Sequence, residues 1–369
     1  MTRLSTSLTF KSSSVAKRIL LIRLSHLGDV VLALPVFHAL RARYPEARIA
    51  WVTQPEFAGL LTGLPGLERI FLFARGEGAA AWPRLVEDLG GFAPDLVVDA
   101  QGNLKSAAVA LCAGSARRTG LHRRDWREPL GALVLHDHAP PVERDVVHAM
   151  DRMFALARHA CGSPAVGIRT DPALLPEELE QGRARWRELV GAHQSAVILQ
   201  LCDPGDVRSW PVEHFASLAR LLGEHGFCVL CISGPREADV GRALERELAA
   251  HAHVRHWVGQ RGLRELAALY TAAAAVRAPF VGTDSGPMHL AAACGMRVVA
   301  LVGPQSHLRT GPWPIPGSDE AAWVHSVIGS PNAPDCAPCL ARRCTHPEGP
   351  VCMRELPPAM VAEQLAGVS

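Results

Sequence analysis

Residues 18–31 read Arg-Ile-Leu-Leu-Ile-Arg-Leu-Ser-His-Leu-Gly-Asp-Val-Val. The apolar run Arg18–Leu24 has the length and composition of a buried parallel strand. After a polar turn, the segment Val36–Tyr44 places its bulky residues on one face of a helix. A strand that leads through a polar turn into a helix is the first unit of a doubly wound α/β sheet.

The same alternation of short apolar runs and longer amphipathic stretches continues along most of the chain. The first half contains four predicted strands, at Arg18–Leu24, Arg48–Thr53, Arg69–Phe73 and Asp95–Ala100. The second half contains five, at Ala196–Leu201, Phe227–Ser233, His253–Val258, Ala275–Gly282 and Arg297–Gly303. Helices are predicted between the two series at Val146–Ala160 and Glu177–Val190. The sequence therefore predicts an α/β fold with two doubly wound, Rossmann-like halves.

A proline-containing stretch with one polar helix separates the two series of strands. We predict a flexible N-terminal extension at 1–17, an N-terminal domain at 18–165, an interdomain connection at 166–195 and a C-terminal domain with a cysteine-containing tail at 196–369. Ligands of open α/β sheets bind at the carboxyl ends of the strands. We therefore expect the functional site in a cleft between the two domains.

Composition excludes several classes of protein. A net charge of +2 over 369 residues offers no concentrated basic face of the kind that binds nucleic acid. No apolar run reaches the roughly 20 residues that span a bilayer, so an integral membrane protein is not expected. The first 14 residues lack the apolar core of a secretory signal, and six of the ten cysteines are scattered through apolar segments. Both features favour the reducing cytoplasm.

Asp29 follows the first predicted strand and faces the predicted cleft. Its carboxylate could accept a proton from a substrate hydroxyl within hydrogen-bonding reach. Asp is also a favoured residue at the N-cap of a helix, so a purely structural role stays open.

The second motif, residues 282–289, reads Gly-Thr-Asp-Ser-Gly-Pro-Met-His and opens a predicted helix. Glycine lets a ligand approach the backbone closely, and the free N–H groups at a helix start favour phosphate oxygens. The motif therefore indicates a diphosphate site. Helix capping by Thr283 to Ser285 and a packing role for His289 remain the alternatives.

Two further loops are predicted to face the same cleft, and a third polar segment ends a strand of the first half. Arg208 follows one strand, and its planar guanidinium suits phosphate. Glu237 follows the next strand and could bind ribose hydroxyls. Residues 99–106, Asp-Ala-Gln-Gly-Asn-Leu-Lys-Ser, end a strand of the first half and place polar groups where a second substrate would lie. Taken singly, each of these could be an ordinary surface residue or a solvated helix start.

Four cysteines lie near the carboxyl terminus, at Cys336, Cys339, Cys344 and Cys352. Their number suits tetrahedral zinc, although their spacing matches no regular zinc module. Free thiols or a redox-sensitive pair are the alternatives.

Together these motifs resemble glycosyltransferase family 9, the ADP-heptose:lipopolysaccharide heptosyltransferases. The resemblance covers nearly the whole chain after residue 17 and rests on five segments in one order, at 23–31, 99–106, 210–211, 234–237 and 284–289. It implies a GT-B architecture in which the N-terminal domain binds the acceptor and the C-terminal domain binds the sugar nucleotide. It also implies an inverting, metal-independent transfer of heptose from ADP-heptose to a hydroxyl of the lipopolysaccharide inner core.

The resemblance assigns a role to each motif. Asp29 matches the general base. The sugar nucleotide would contact Arg208, Glu237, Thr283, Asp284, Ser285, Gly286, Pro287 and His289. The acceptor, a lipid A-core oligosaccharide, would contact Ser25, Gly28, Gln101, Gly102 and Lys105. No cofactor is implied for catalysis, and we expect a cytoplasmic enzyme with peripheral contact at the inner membrane.

The sequence departs from the family pattern at three points. Arg208 stands where the family usually has Lys, and the two cations are not interchangeable. The loop 202–207 lacks the hydroxyl residues often seen there, and the segment 263–283 is a few residues longer than in the family pattern.

The alternatives are a different sugar-nucleotide donor, a GT-B-fold sugar-nucleotide epimerase, a nicotinamide-dependent dehydrogenase, or a noncatalytic nucleotide-binding module. The absence of a G-x-G-x-x-G turn after the first strand disfavours the dehydrogenase.

Overall fold

The structure is a computed structural model that describes residues 16–115, 117–143, 147–163, 169–191, 193, 195–260, 262–313 and 325–367. The predicted extension 1–17 therefore lies outside the described residues, except for its last two positions. Within the described ranges, no helix is long and apolar enough to cross a membrane.

The first half of the chain forms a six-stranded parallel sheet with strand order β3-β2-β1-β4-β5-β6. Three short 3₁₀ helices also lie in this half, at Arg75–Ala80, Arg123–Asp125 and Pro129–Val134. In chain order its strands and α-helices are β1 (Arg18–Ile22), α1 (Leu27–Arg43), β2 (Arg48–Thr53), α2 (Pro55–Leu61), β3 (Arg69–Leu72), α3 (Ala81–Phe92), β4 (Leu96–Asp99), α4 (Leu104–Cys112), β5 (Arg117–Gly120), β6 (Asp137–His138) and α5 (Ala149–Cys161).

The second half forms another six-stranded parallel sheet, with order β12-β11-β10-β7-β8-β9. Its elements are α6 (Pro176–Val190), β7 (Ala196–Gln200), α7 (Val212–Glu224), β8 (Cys228–Ile232), α8 (Ala238–Glu247), β9 (Val254–Trp257), α9 (Leu263–Ala275), β10 (Phe280–Thr283), α10 (Gly286–Ala293), β11 (Val298–Val302), α11 (His307–Thr310), β12 (Ser326–Gly329), α12 (Val351–Arg354) and α13 (Pro358–Ala366).

Both sheets have the same topology, because each begins at a central strand, winds outward to one edge, and then returns to build the other edge. The prediction of two doubly wound halves is confirmed. The direction of winding reverses between β1 and β4 in the first sheet and between β7 and β10 in the second. Open α/β sheets bind their ligands at such reversals, so the fold places one site in each half.

Helix α1 lies between the two halves. It contacts α5 of its own half and α10 of the other. Its residues from Val30 to Leu40 are all buried, as expected for a helix covered on more than one side.

A buried arginine makes a second joint between the halves. Arg264 of α9 pairs with Glu178 of α6 and donates to the carbonyl oxygen of Leu60, at 3.2 Å, in the first half. The same guanidinium donates to the carbonyl oxygens of Pro172 and Ala173, so one side chain ties together α2, the connecting segment and α9.

Candidate active site

Four polar segments meet where the winding of the two sheets reverses. They follow β1, β4, β7 and β10, the four strands that flank the two reversals. The carboxyl ends of parallel strands lie at one edge of each sheet, which is why segments distant in sequence come together there.

Asp29 lies in the first turn of α1 and forms an ion pair with Arg23. Arg23 Nη2 lies 2.7 Å from one carboxylate oxygen, and His26 Nδ1 lies 3.4 Å from the other. Burial by itself would raise the pKa of Asp29, but the charge of Arg23 and the hydrogen bonds from His26 and Arg23 lower it to about 2. The lowered pKa keeps the carboxylate ionised at neutral pH, and the side chain keeps 35% of its surface exposed.

The capping alternative for Asp29 is wrong. Helix α1 begins at Leu27, and the N-cap position belongs to His26, whose side chain makes no capping hydrogen bond. His26 has φ 64° and ψ 126°, a backbone conformation that residues other than glycine rarely adopt. Such strain is found mostly at functional sites, where surrounding contacts hold it in place.

The segment after β4 supports the loop that carries Asp29. Gln101 Oε1 accepts hydrogen bonds from the backbone N–H groups of Leu24, at 2.9 Å, and Ser25, at 3.3 Å. The buried Asp99 accepts in turn from the N–H groups of Gln101 and Gly102. Burial raises the pKa of Asp99 despite these bonds. The structure thus brings the predicted acceptor residues Ser25 and Gln101 into contact.

Part of this segment is a helix start, as the structural alternative predicted. Asn103 caps α4 and forms a reciprocal capping box with Ser106. Lys105 lies in the first turn with its side chain exposed, while Gly102, at φ 72°, makes the turn before the cap. Gly102 is thus required by the backbone whether or not it contacts a substrate.

The segment after β10 is held in place by the contacts of Asp284 with His289 and Thr310. Asp284 Oδ1 lies 3.4 Å from His289 Nε2, and Asp284 Oδ2 accepts a hydrogen bond of 2.8 Å from Thr310. Ser285 occupies the N-cap of α10 but makes no side-chain capping bond, so capping does not explain the motif. Thr283 is buried at the end of β10, and Gly286 and Pro287 form the first helical positions.

Arg208 is positioned against this segment by two contacts. Its guanidinium pairs with Asp206 through two hydrogen bonds, of 2.9 and 2.6 Å, and donates a third, of 2.7 Å, to the backbone oxygen of Asp284. The hydrogen bonds from Arg208 lower the pKa of Asp206, and those to Asp206 raise the pKa of Arg208. The cation therefore lies beside the start of α10, where an anion would bind.

Glu237 follows β8 at the N-cap of α8 and folds back over Gly234. A Cβ atom built on Gly234 would lie 2.7 Å from Glu237 Oε2. Burial raises the pKa of this carboxyl group, and the nearby charge of Asp203 adds to the effect. Glu237 and Arg208 thus lie on neighbouring loops of the second sheet, as predicted.

The loop after β1 and the segment after β10 touch across the cleft. A Cβ atom on Gly28 would lie 2.6 Å from His289 Cδ2, and one on Gly286 would lie 2.6 Å from Leu27 Cβ. The starts of α1 and α10 pack against each other at glycines, because no larger residue would allow this approach. The first turn of α1, which carries Asp29, therefore lies against the segment that carries Asp284 and His289.

The prediction of structural zinc is not supported. Among the described residues, no group of three or more His, Cys, Asp or Glu side chains is placed to hold a metal ion. Cys336 and Cys339 are exposed, and Cys344 is half-buried. Cys352 is buried against Gly303, where it packs in the core beside β11. All four remain free thiols.

Sequence reasoning missed three residues that organise this site, namely Arg23, Asp206 and Thr310. Arg23 and Asp206 lie within six residues of the side chains they hold, so a charge of opposite sign near each candidate was an available signal. Thr310 is 26 residues from Asp284, and no local pattern connects the two.

Comparison with known proteins places this chain in one family. Residues 82–347 match the family described as Glycosyltransferase family 9 (heptosyltransferase). Lipopolysaccharide heptosyltransferase 1 of Pseudomonas aeruginosa is 29% identical over 378 residues, which cover 94% of this chain and 97% of that protein. Lipopolysaccharide heptosyltransferase 2 of Escherichia coli is 28% identical, covering 78% of this chain and 83% of that protein.

Solved structures of heptosyltransferases have the same fold. E. coli heptosyltransferase WaaC with ADP superposes with a TM-score of 0.70 at 20% identity, covering 95% of this chain and all of that one. E. coli ADP-heptose lps heptosyltransferase II gives a TM-score of 0.69 at 24% identity, with 95% and 98% covered. The predicted GT-B architecture is confirmed.

Proposed function

This chain belongs to glycosyltransferase family 9, and we propose that it transfers heptose from ADP-heptose to a hydroxyl group of the lipopolysaccharide inner core, with inversion at the anomeric carbon. It is a glycosyltransferase with a GT-B fold. The observation that carries the proposal is an ionised Asp29 in the first turn of α1, the turn that packs against the start of α10. In this proposal the start of α10 binds the nucleotide.

Asp29 is the general base. Its carboxylate accepts the proton of the acceptor hydroxyl while that oxygen attacks the anomeric carbon on the face opposite the diphosphate. The bond between the anomeric carbon and the diphosphate oxygen breaks, and ADP leaves. The ion pair with Arg23 keeps the carboxylate unprotonated at neutral pH, so each catalytic cycle can begin with a free base.

Charge develops on the departing diphosphate. Arg208 and the backbone N–H groups at the start of α10 are fixed in place before the reaction and offer a cation and dipoles to this charge. Such preorganised groups can replace a divalent metal, and we propose that transfer needs none. Activity in excess EDTA should equal activity without it.

The remaining predicted residues take the roles that their positions allow. Glu237 binds the ribose hydroxyls from the loop after β8. Lys105, exposed at the start of α4, faces an anionic acceptor, and Gln101 holds the backbone of Ser25 in the loop that leads to Asp29. We place the enzyme in the cytoplasm with peripheral contact at the inner membrane, because the acceptor in this proposal is lipid-linked.

The family match supports transfer over the epimerase and dehydrogenase alternatives, and a different sugar-nucleotide donor remains the second candidate. Arg208 favours that alternative, since it stands at a position where the family resemblance expects Lys and it binds differently from Lys.

The decisive experiment measures ADP release from ADP-heptose with a heptose-deficient lipopolysaccharide acceptor. We expect acceptor-dependent release by the native chain and a loss of roughly a hundredfold or more in Asp29→Asn. Asp239→Asn, a surface carboxylate on α8, serves as the control and should not change the rate.

Two outcomes would contradict the proposal. Full activity of Asp29→Asn would remove the assigned base. Tight ADP binding without any release from ADP-heptose would favour the second candidate, and other sugar nucleotides would then be compared in the same assay.

A further inference from the structure

Two short helices of the N-terminal half expose a group of leucines. Among the described large apolar side chains, Leu130 and Leu133 are the most exposed, at 76% and 80%. They lie three residues apart in the 3₁₀ helix Pro129–Val134, so they share one face. Leu104 and Leu111 are 54% and 53% exposed and lie seven residues apart on α4, again on one face. We call these four side chains the leucine ridge.

The two helices that carry the ridge pack on each other. A Cβ atom built on Gly131 would lie 3.4 Å from Ala107 Cβ of α4. Glu128 Oε2, just before the 3₁₀ helix, accepts a hydrogen bond of 3.2 Å from the N–H of Leu104. The four leucines therefore belong to one supported surface and not to separate loops.

Exposed cations border the ridge at Lys105, Arg123, Arg124 and Arg127, which we call the basic rim. Two carboxylates lie among them. Asp125 is paired with Arg152 at 3.1 Å, and Glu128 faces Arg127 at 3.4 Å, so the rim keeps a net positive charge. Apolar side chains bordered by like cations suit an anionic lipid surface, which attracts the cations and accepts the leucines.

The surface continues from the segment that we assign to the acceptor. The N–H of Arg127 donates a hydrogen bond of 2.9 Å to the carbonyl oxygen of Gly102, and Lys105 belongs both to the rim and to that segment. A lipid-linked acceptor must keep its lipid in the bilayer while its sugar reaches Asp29. A membrane contact is therefore expected beside residues 101–105.

We propose that the leucine ridge and the basic rim dock this chain on a bilayer that contains anionic lipid. The choice of occupant rests on the proposed function, because that function requires a lipid-linked acceptor. A second copy of the chain fits less well, since a two-fold contact through this surface would bring the basic rim of one copy onto that of the other.

The test measures co-sedimentation of the full chain with vesicles of phosphatidylethanolamine and phosphatidylglycerol, without donor or acceptor. Leu130→Ser/Leu133→Ser should lower the partition coefficient by about tenfold or more, because two exposed side chains lose their burial in lipid. Arg123→Glu/Arg124→Glu should lower it similarly, and the difference from the native chain should shrink at high salt.

Matched controls lie on the C-terminal half. Val276→Ser removes an apolar side chain of 55% exposure, and Arg242→Glu/Arg246→Glu reverses two exposed charges of α8. Both should keep native binding within about twofold, as surface changes outside the contact do. Equal losses in the controls and the patch variants would overturn the proposal.

Three further results would also overturn it: no binding of the native chain, binding unaffected by the patch substitutions, or equal binding to neutral phosphatidylcholine vesicles. Self-association that the leucine substitutions abolish, without vesicle binding, would assign the surface to a second copy instead.

A second assay separates docking from transfer. Transfer to a lipid-free core oligosaccharide should be unchanged in the patch variants and lost in Asp29→Asn. If vesicle binding depends on the patch but no sugar is transferred, the docking inference stands and the proposed function fails.

Discussion

Asp29 shows how two opposing effects set the state of one side chain. Burial disfavours its charge, whereas Arg23, at 2.7 Å, and His26 favour it, and the lowered pKa shows that these two contacts together outweigh burial. Because the folded-state pKa is the depressed one, the pair stabilises the fold at neutral pH and loses that contribution as the pH falls toward about 2.

Replacement of Arg23 should shift the acid limb of the pH profile of kcat/KM to higher pH. Arg23→Met keeps the burial of Asp29 and the contact with His26 but removes the charge of Arg23, so the pKa of Asp29 should rise. The value of kcat/KM at about pH 5 should then fall relative to its value at about pH 8. The native chain should show no such fall from Asp29. Arg23→Lys keeps the charge and should restore most of the native profile. An acid limb identical in Arg23→Met and the native chain would show that Arg23 does not set the state of Asp29.

Arg208 should act mainly on the transition state. Arg208→Ala removes the cation beside the start of α10, and we expect kcat to fall by roughly a hundredfold or more, with a smaller change in the affinity for ADP-heptose. Arg208→Lys keeps the charge but cannot hold Asp206 and the Asp284 carbonyl together, so its rate should be intermediate. The control is Arg220→Ala, which removes a partly exposed arginine of α7 that pairs with Glu247. Steady-state kinetics would reject this role if Arg208→Ala raised KM and left kcat unchanged.

At the scale of single residues, the local sequence could predict which side chains belong to the site but not which residues they contact. Asp29 and Asp284 were found because each follows an apolar strand, and that position has a physical meaning in a parallel sheet. The contacts of Gly28 with His289 and of Gly286 with Leu27 join residues more than 250 positions apart. Only the tertiary structure brings them together.

At the scale of elements, helix α6 crosses α9 at a glycine. A Cβ atom on Gly182 would lie 2.3 Å from the carbonyl oxygen of Ala268, and this backbone atom cannot move aside cheaply. Gly182→Ala should therefore destabilise the fold by about 1–3 kcal/mol. Gly90→Ala in α3, where nothing lies within 4 Å of the added atom, should instead stabilise it by roughly 0.5–1 kcal/mol. Urea denaturation measures the free energy of unfolding of both variants. An increase in both would show that α6 and α9 can move apart at Gly182 without loss of stability.

Most of the strands that the sequence predicted are buried, and only the edge strands β3 and β9 among them are partly exposed over most of their length. β1, β7 and β8 are continuous apolar runs, and their boundaries agree within two residues. β5, β6 and β12 were missed because Arg117–Gly120 and Asp137–His138 carry polar residues and β12 is a short edge strand. The predicted start of a strand at Ala275 was wrong. Its alanine run continues α9, since alanine favours helix, and β10 begins at Phe280.

At the scale of the whole molecule, the two halves are joined at Arg264 and at the first turns of α1 and α10, and the second of these joints borders the site. Arg264 ties α9 to α2 and to the connecting segment, while α1 and α10 meet at their first turns. Their relative placement therefore sets the distance between Asp29, carried by one half, and Asp284, carried by the other. Any substitution that separates the first turns of α1 and α10 should affect transfer more than folding of either half.

Gly28→Ala tests this coupling. The added Cβ would lie 2.6 Å from His289 Cδ2, and His289 is buried and held by Asp284, so the two helix starts must move apart. A displacement approaching 1 Å can cost about a hundredfold in rate, and we expect kcat to fall by about tenfold to a hundredfold. ADP binding, measured by calorimetry, should change less, because Arg208 and the start of α10 belong to the same half and are joined by the hydrogen bond from Arg208 to the Asp284 carbonyl oxygen. Gly59→Ala in α2 adds the same atom into open space and should leave kcat unchanged. If Gly28→Ala transfers sugar at the native rate, the spacing of the two helix starts does not control the reaction.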